Sequence, residues 1–252
     1  MKKLLQILLI IGLATYLFVG CTPPVPTEGE GEGEGEEEVS RVVMVELFSQ
    51  DGCGGCAIVE PVLEQLAEEE YDRSEVILLE ERAYGPYSLN EIRDRHSWYL
   101  PNSSDRGTPN ILFNGFDTTH IHGASTYAVI KGKINLELGK DAKISISATR
   151  SSDSTTTTIS GTIKNIGSST LDNLAINGMA FKNRGEVGLK YSVLDIFAEQ
   201  KVSIDTFEPG DIKNFSFTLE NINWEGNNIH GVIFVQDENS LKKEILQAFY
   251  IE

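Results

Sequence analysis

The chain is short of cysteine and short of positive charge, and both shortages narrow what it does. Its 252 residues contain three cysteines, too few for a small scaffold stapled by several disulfides. Cys21 stands alone near the N-terminus, Cys53 and Cys56 form one Cys-x-x-Cys pair, and residues 57–252 have none. Without a second pair at usable spacing, a four-cysteine zinc site is excluded. Lys and Arg number 21 against 38 Asp and Glu, for a formal charge of −17. Setting aside Lys2, Lys3 and the seven glutamates of residues 28–38 leaves −12 for residues 39–252. That balance argues against nucleic acid or anionic lipid as a partner of the folded part. A Ser-His-Asp arrangement, a phosphate loop and a dinucleotide fingerprint are also missing. The longest apolar run, Leu4 to Val19, is too short and too early for a transmembrane anchor.

That run, preceded by Lys2 and Lys3, has the n-region and h-region of an export signal over residues 1–20. It ends in Leu17-Phe18-Val19-Gly20-Cys21, which resembles a bacterial lipoprotein signal. The resemblance implies that Cys21 is lipidated and becomes the mature N-terminus of an exported, membrane-anchored protein. The alternative is an ordinary secretory signal with an incidental Cys21. Residues 21–39 then read as a tether: Thr22-Pro23-Pro24-Val25-Pro26 is stiff and extended, and Glu28–Glu38 alternates Glu with Gly before three consecutive glutamates. Nothing there can build a core, so self-repulsion stretches it. At roughly 3.3–3.6 Å per residue, residues 22–38 reach at most about 60 Å.

The pair Cys53-Gly54-Gly55-Cys56 lies between two patterned segments. Arg41–Phe48 is mostly apolar and of strand length, whereas Ile58, Val62, Leu63 and Leu66 recur at helical spacing among glutamates. Cys53 therefore falls at a helix N-terminus, where free N–H groups and the helix dipole favour a thiolate and make it nucleophilic. Cys56, one turn further in, is placed to resolve a mixed disulfide on Cys53.

Cys53–Ala67, with Pro61 five residues after the second cysteine, resembles the active-site helix of the thioredoxin family. Arg106-Gly107-Thr108-Pro109 resembles the cis-proline segment that this family sets against its cysteines. The resemblance implies catalysis by Cys53 and Cys56, substrate binding by Thr108 and cis-Pro109, and a buried acid as proton acceptor. Leu47 stands at the matching place for that acid, so the candidate is Glu46, one residue earlier. Gly52 replaces the usual Trp before the first cysteine, and Gly54-Gly55 replaces the usual dipeptide.

Further along, strand patterns at Glu75–Glu80 and Ile111–Phe113, the hairpin signal Asn114-Gly115, and helical patterns at Ser88–Tyr99 and Ala124–Leu138 give the order β-α-β-α-β-β-α. The expected fold is an α/β thioredoxin-like domain over residues 40–140. An all-β sandwich of immunoglobulin or fibronectin type follows over residues 141–252, from about seven short strands punctuated by glycines. The whole plan resembles the Omp28-type outer-membrane lipoproteins and a related uncharacterised secreted family with a Cys-x-x-Cys start. The implied function is a membrane-tethered, extracytoplasmic thiol–disulfide oxidoreductase acting on exported protein thiols and disulfides with an unidentified redox partner. No cofactor and no metal are expected, and His120-x-His122 reads as a polar strand face. The alternative is a non-enzymatic surface binding or assembly lipoprotein with a structural Cys53–Cys56 disulfide.

Overall fold

The computed structural model describes residues 39–116, 120–153, 155–220, 224 and 228–252. The expected export signal over residues 1–20, the expected lipidation site Cys21 and the expected tether through Glu38 lie outside the described residues. Strand β1 (Val43–Gln50) is buried from Val43 to Ser49, as its apolar run requires of a strand covered on both faces. Helix α1 (Cys56–Gln65) carries it over to β2 (Val76–Tyr84), parallel to β1 with Val43 opposite Val76 and Leu47 opposite Glu80. Helix α2 (Asn90–Tyr99), β3 (Asn110–Phe113, antiparallel to β1), β4 (Ile121–His122) and α3 (Tyr127–Leu138) follow. Alternation along the strands divides the side chains between two faces. Val43, Val45, Leu47, Val76 and Leu78 pack on Val59, Leu63 and Leu66, with Ile130 and Ile134 of α3. Met44, Phe48, Ile77 and Leu79 turn the other way, onto Ile92 and Tyr99 of α2.

The local elements follow the order that periodicity predicts, but their assembly does not. The second half contributes β5 (Ile144–Ser152), β6 (Thr156–Asn165), β7 (Leu171–Lys182), β8 (Ser192–Ile196), β9 (Val202–Phe207), β10 (Ile212–Glu220), β11 (Ile229–Asp237) and β12 (Ile245–Ile251). One nine-stranded mixed sheet runs β12-β11-β7-β8-β2-β1-β3-β4, with β9 also on β7. Only β10, β6 and β5 form a separate three-stranded sheet. The expectation of a thioredoxin-like α/β domain followed by a self-contained immunoglobulin- or fibronectin-like sandwich is therefore corrected. Strands from both halves share a sheet, and Met179, Phe181, Val193, Val232 and Phe234 share a core with Met44, Phe48 and Ile92.

The seam has physical causes. The Glu80 N–H donates to the Tyr191 carbonyl at 2.9 Å, and the Tyr191 N–H returns a bond to Glu80 Oε2 at 2.8 Å. Asn114 accepts the Met44 N–H on Oδ1 at 2.8 Å and the Ile245 N–H on its carbonyl at 2.9 Å. It thus ties the start of β1 to the start of β12. Gly115, at φ 96°, is needed for more than a turn: a Cβ there would stand 2.2 Å from the Lys243 carbonyl oxygen. Buried Arg41 donates to the carbonyls of Leu246 and Ile245 at 2.8 and 2.9 Å. Backbone groups that each half would leave bare are satisfied by the other. Residues 39–252 accordingly make one compact unit. The smaller sheet closes a third core, in which Ile159, Ile163, Phe215 and Phe217 meet Ile176, Ile204, Ile233 and Trp224.

Candidate thiol–disulfide site

Cys53 and Cys56 are joined as a disulfide with Cα atoms 5.2 Å apart. The α1 ladder starts at this ring: the Ala57 N–H donates to the Cys53 carbonyl at 3.1 Å and the Val59 N–H to that of Gly55 at 3.3 Å. The two sulfurs are unequal. Cys56 is 1% exposed, whereas Cys53 is half-buried. The Cys56 N–H points at Cys53 Sγ from 3.1 Å. A helix-terminal amide aimed at that sulfur favours negative charge on it.

Thr108 and Pro109 lie against the ring. Their peptide bond is cis, and the Thr108 carbonyl oxygen stands 3.4 Å from Cys53 Sγ. Gly55 has a steric reason to be glycine, because a Cβ there would come within 2.9 Å of Pro109 Cδ. Next along, Asn110 gathers three histidines: Oδ1 accepts from His120 Nε2 at 2.7 Å and from His122 Nδ1 at 3.0 Å, and Nδ2 donates to His96 Nε2 at 3.2 Å. Burial, with the charge of Arg106, pushes the His96 pKa down to about 4, which keeps it a neutral acceptor. Burial likewise lowers His120. Among the described residues, no group of three His, Cys, Asp or Glu side chains is placed to hold a metal ion.

Glu46 is not beneath the cysteines. It points to the α2 face, while α1 and its disulfide lie over the opposite face with Val45 and Leu47. There Glu46 is fully buried, receives a hydrogen bond from Tyr99 Oη at 2.8 Å and pairs with Arg95 Nε. A one-residue step along a strand reverses the face, so Glu46 lies across the sheet from the cysteines, not beside them as expected.

A different set of charges stands on the disulfide side. A cavity of about 390 Å³ beside Cys53 is bordered by Asp51, Ala57, Glu60 and Arg82. Glu60 lies one helical turn after Cys56 on the buried face of α1. Arg82 Nη1 approaches Glu60 Oε1 at 3.1 Å and Asp51 Oδ1 at 3.5 Å, while Nη2 donates to the Gly188 carbonyl at 3.1 Å. Burial raises the Glu60 pKa, with the Arg82 charge opposing it. Behind it, burial holds Glu80 well above the ordinary carboxylate range, against the Tyr191 N–H bond that lowers it. The signal for Glu60 is present in the chain, since position 60 repeats the helical spacing of Cys56. Arg82 carries no such signal, because its face depends on the parity of β2.

Neither a protein-family model nor a curated protein matches the chain. Among solved structures, it resembles HBP35 of Porphyromonas gingivalis with a TM-score of 0.62 and 15% identity, over 84% of this chain and 74% of that one. A domain of the outer membrane lipoprotein Omp28 from the same organism matches with 16% identity over 44% of this chain and 88% of its own, at a TM-score of 0.34. The first likeness covers most of the chain and is one of fold alone.

Proposed function

We propose that the protein is a membrane-tethered, extracytoplasmic thiol–disulfide oxidoreductase that acts on exported proteins. The observation that carries this reading is the inequality of the two sulfurs: Cys53 is reachable beside an open cleft, and Cys56 is buried behind it. In the oxidising direction, a substrate thiolate attacks Cys53 Sγ. The Cys53–Cys56 bond breaks, a mixed disulfide forms, and Cys56 leaves as a thiolate that takes up a proton. A second substrate thiolate then attacks the substrate sulfur of that mixed disulfide. Cys53 leaves as a thiolate facing the Cys56 N–H, the substrate gains a disulfide, and two electrons have passed to the cysteine pair. The reverse sequence reduces or reshuffles a substrate disulfide. A second protein disulfide or dithiol restores the starting state. Thr108 and Pro109 border the approach to Cys53 and contact the incoming chain. Lipidation of Cys21, inferred from its leader, would hold the folded unit to a bacterial membrane.

In cells, Cys56→Ser should accumulate mixed disulfides through Cys53 in the membrane fraction, and Cys53→Ser should accumulate few. Equal trapping by the two variants contradicts the assigned order of attack. Adducts found only in the soluble fraction contradict the anchor. A pair that no mild reductant opens in the native protein favours the non-enzymatic reading, with a structural disulfide.

A further inference from the structure

The cleft beside Cys53 carries an uneven set of charges. One guanidinium, Arg82, faces two carboxylates, Asp51 and Glu60, so the ionised cleft has one negative charge in excess. Glu60 is nine-tenths buried and lines the cleft, and its Oε1 has no hydrogen-bond donor despite the nearby guanidinium. Arg82 is also buried and spends its other terminal nitrogen on Gly188. Asp51 alone of the three stands out in solvent, with its side chain 56% exposed. Arg82 approaches its Oδ1, and among the described residues no donor reaches Oδ2. A Cβ built at Gly85 would stand 3.5 Å from Oδ2, an ordinary van der Waals contact.

We propose that Asp51 selects the partner, so that the site favours protein thiols or disulfides whose reactive cysteine lies next to a Lys or Arg. This rests on the oxidoreductase reading above. A cation beside the attacked sulfur would sit against Asp51 Oδ2, two residues from Cys53, and supply the charge that Arg82 leaves uncompensated. An anionic neighbour would meet Asp51 and the Glu60 carboxyl behind it. The net charge of −12 over residues 39–252 draws cationic partners in from further off.

The test uses two synthetic dithiol peptides that differ only in a Lys or a Glu beside the first cysteine, with the oxidised full-length protein. Each rate of peptide oxidation is divided by the rate of the same peptide with glutathione disulfide, which removes differences in intrinsic thiol reactivity. The Lys peptide should react about fivefold faster after this correction, the size of a good exposed ion pair. The preference should shrink at high ionic strength, fall in Asp51→Asn and reverse in Asp51→Lys. Equal corrected rates, or a preference that both variants retain, overturn the assignment of Asp51 and leave the oxidoreductase reading standing. Failure of both peptides to react overturns both.

Discussion

The two faces of β1 and β2 each bury acids, and they treat them differently. On the α2 face, Glu46 is enclosed and fully bonded: Arg95, Tyr99 and Gln236 close around it, with Tyr99 Oη donating at 2.8 Å and Gln236 Nε2 reaching Tyr99 Oη at 2.7 Å. Its neighbour Glu81 shares that compartment with no hydrogen-bond partner on either oxygen among the described residues. On the α1 face, Glu60, Glu64 and Glu80 are divided between Arg82, Lys190 and backbone amides, and the cluster opens beside Cys53. The closed cluster can hold the fold but exchanges little with solvent. The open one borders the only described disulfide, so its charges bear on chemistry there. A step of one residue along a strand separates the two fates.

The comparison breaks most readily at Arg95. Arg95→Leu leaves Glu46 buried without its countercharge, which should cost about 3–5 kcal/mol of stability, read by urea denaturation. Alkylation of Cys53 after mild reduction should change little under native conditions. A loss below about 1 kcal/mol would mean that the Arg95–Glu46 pair contributes no more than an exposed one.

A smaller effect should appear as a dependence on pH. Burial, reinforced by Glu46, holds the Glu81 carboxyl well above the ordinary value of 4.5. The folded chain therefore keeps a proton that the unfolded chain releases. The associated stability is complete below about pH 4.5 and is lost as pH rises towards the folded value. Glu81→Gln should weaken that loss, so that its melting temperature drops less than the parent's between pH 5 and pH 8. Parallel melting curves across that interval would show that Glu81 does not retain its proton.

The smallest effect separates the faces most directly. Glu60→Gln removes a carboxylate beside the disulfide and should move the alkylation profile of reduced Cys53 to lower pH, by about half a unit or less at a partly solvated site. Glu46→Gln, across the sheet, should leave the profile where it is. A shift with Glu46→Gln and none with Glu60→Gln would return the role of cysteine-side acid to Glu46.

Much of the local structure was legible beforehand. The apolar run at Arg41–Phe48 becomes β1, the helical spacing after Cys56 becomes α1 with Pro61 inside it although Ile58 is exposed and Leu66 follows its last residue, and Ala124–Leu138 contains α3. Asn114 and Gly115 both take positive φ, but the strand returning to β3 is confined to Ile121–His122, which pair with Ile111 and Asn110, and the residues between 116 and 120 lie outside those described. These features follow from interactions within a few residues, which periodicity records. The strand pattern after residue 141 was likewise visible, but its partners were not.

By itself, the sequence determined where strands and helices form, that Cys53 and Cys56 sit at a helix start, and that the chain is strongly acidic. Only the tertiary structure decided that β8 lies beside β2, that Glu46 belongs to Arg95, and that Asp51, Glu60 and Arg82 meet beside Cys53. Sheet neighbours are chosen by backbone hydrogen bonds and shared burial between residues more than a hundred positions apart, as with Glu80 and Tyr191. Such bonds leave no periodic trace in either segment. Alternation tells which residues share a strand face, but which face receives the helix is fixed by packing alone.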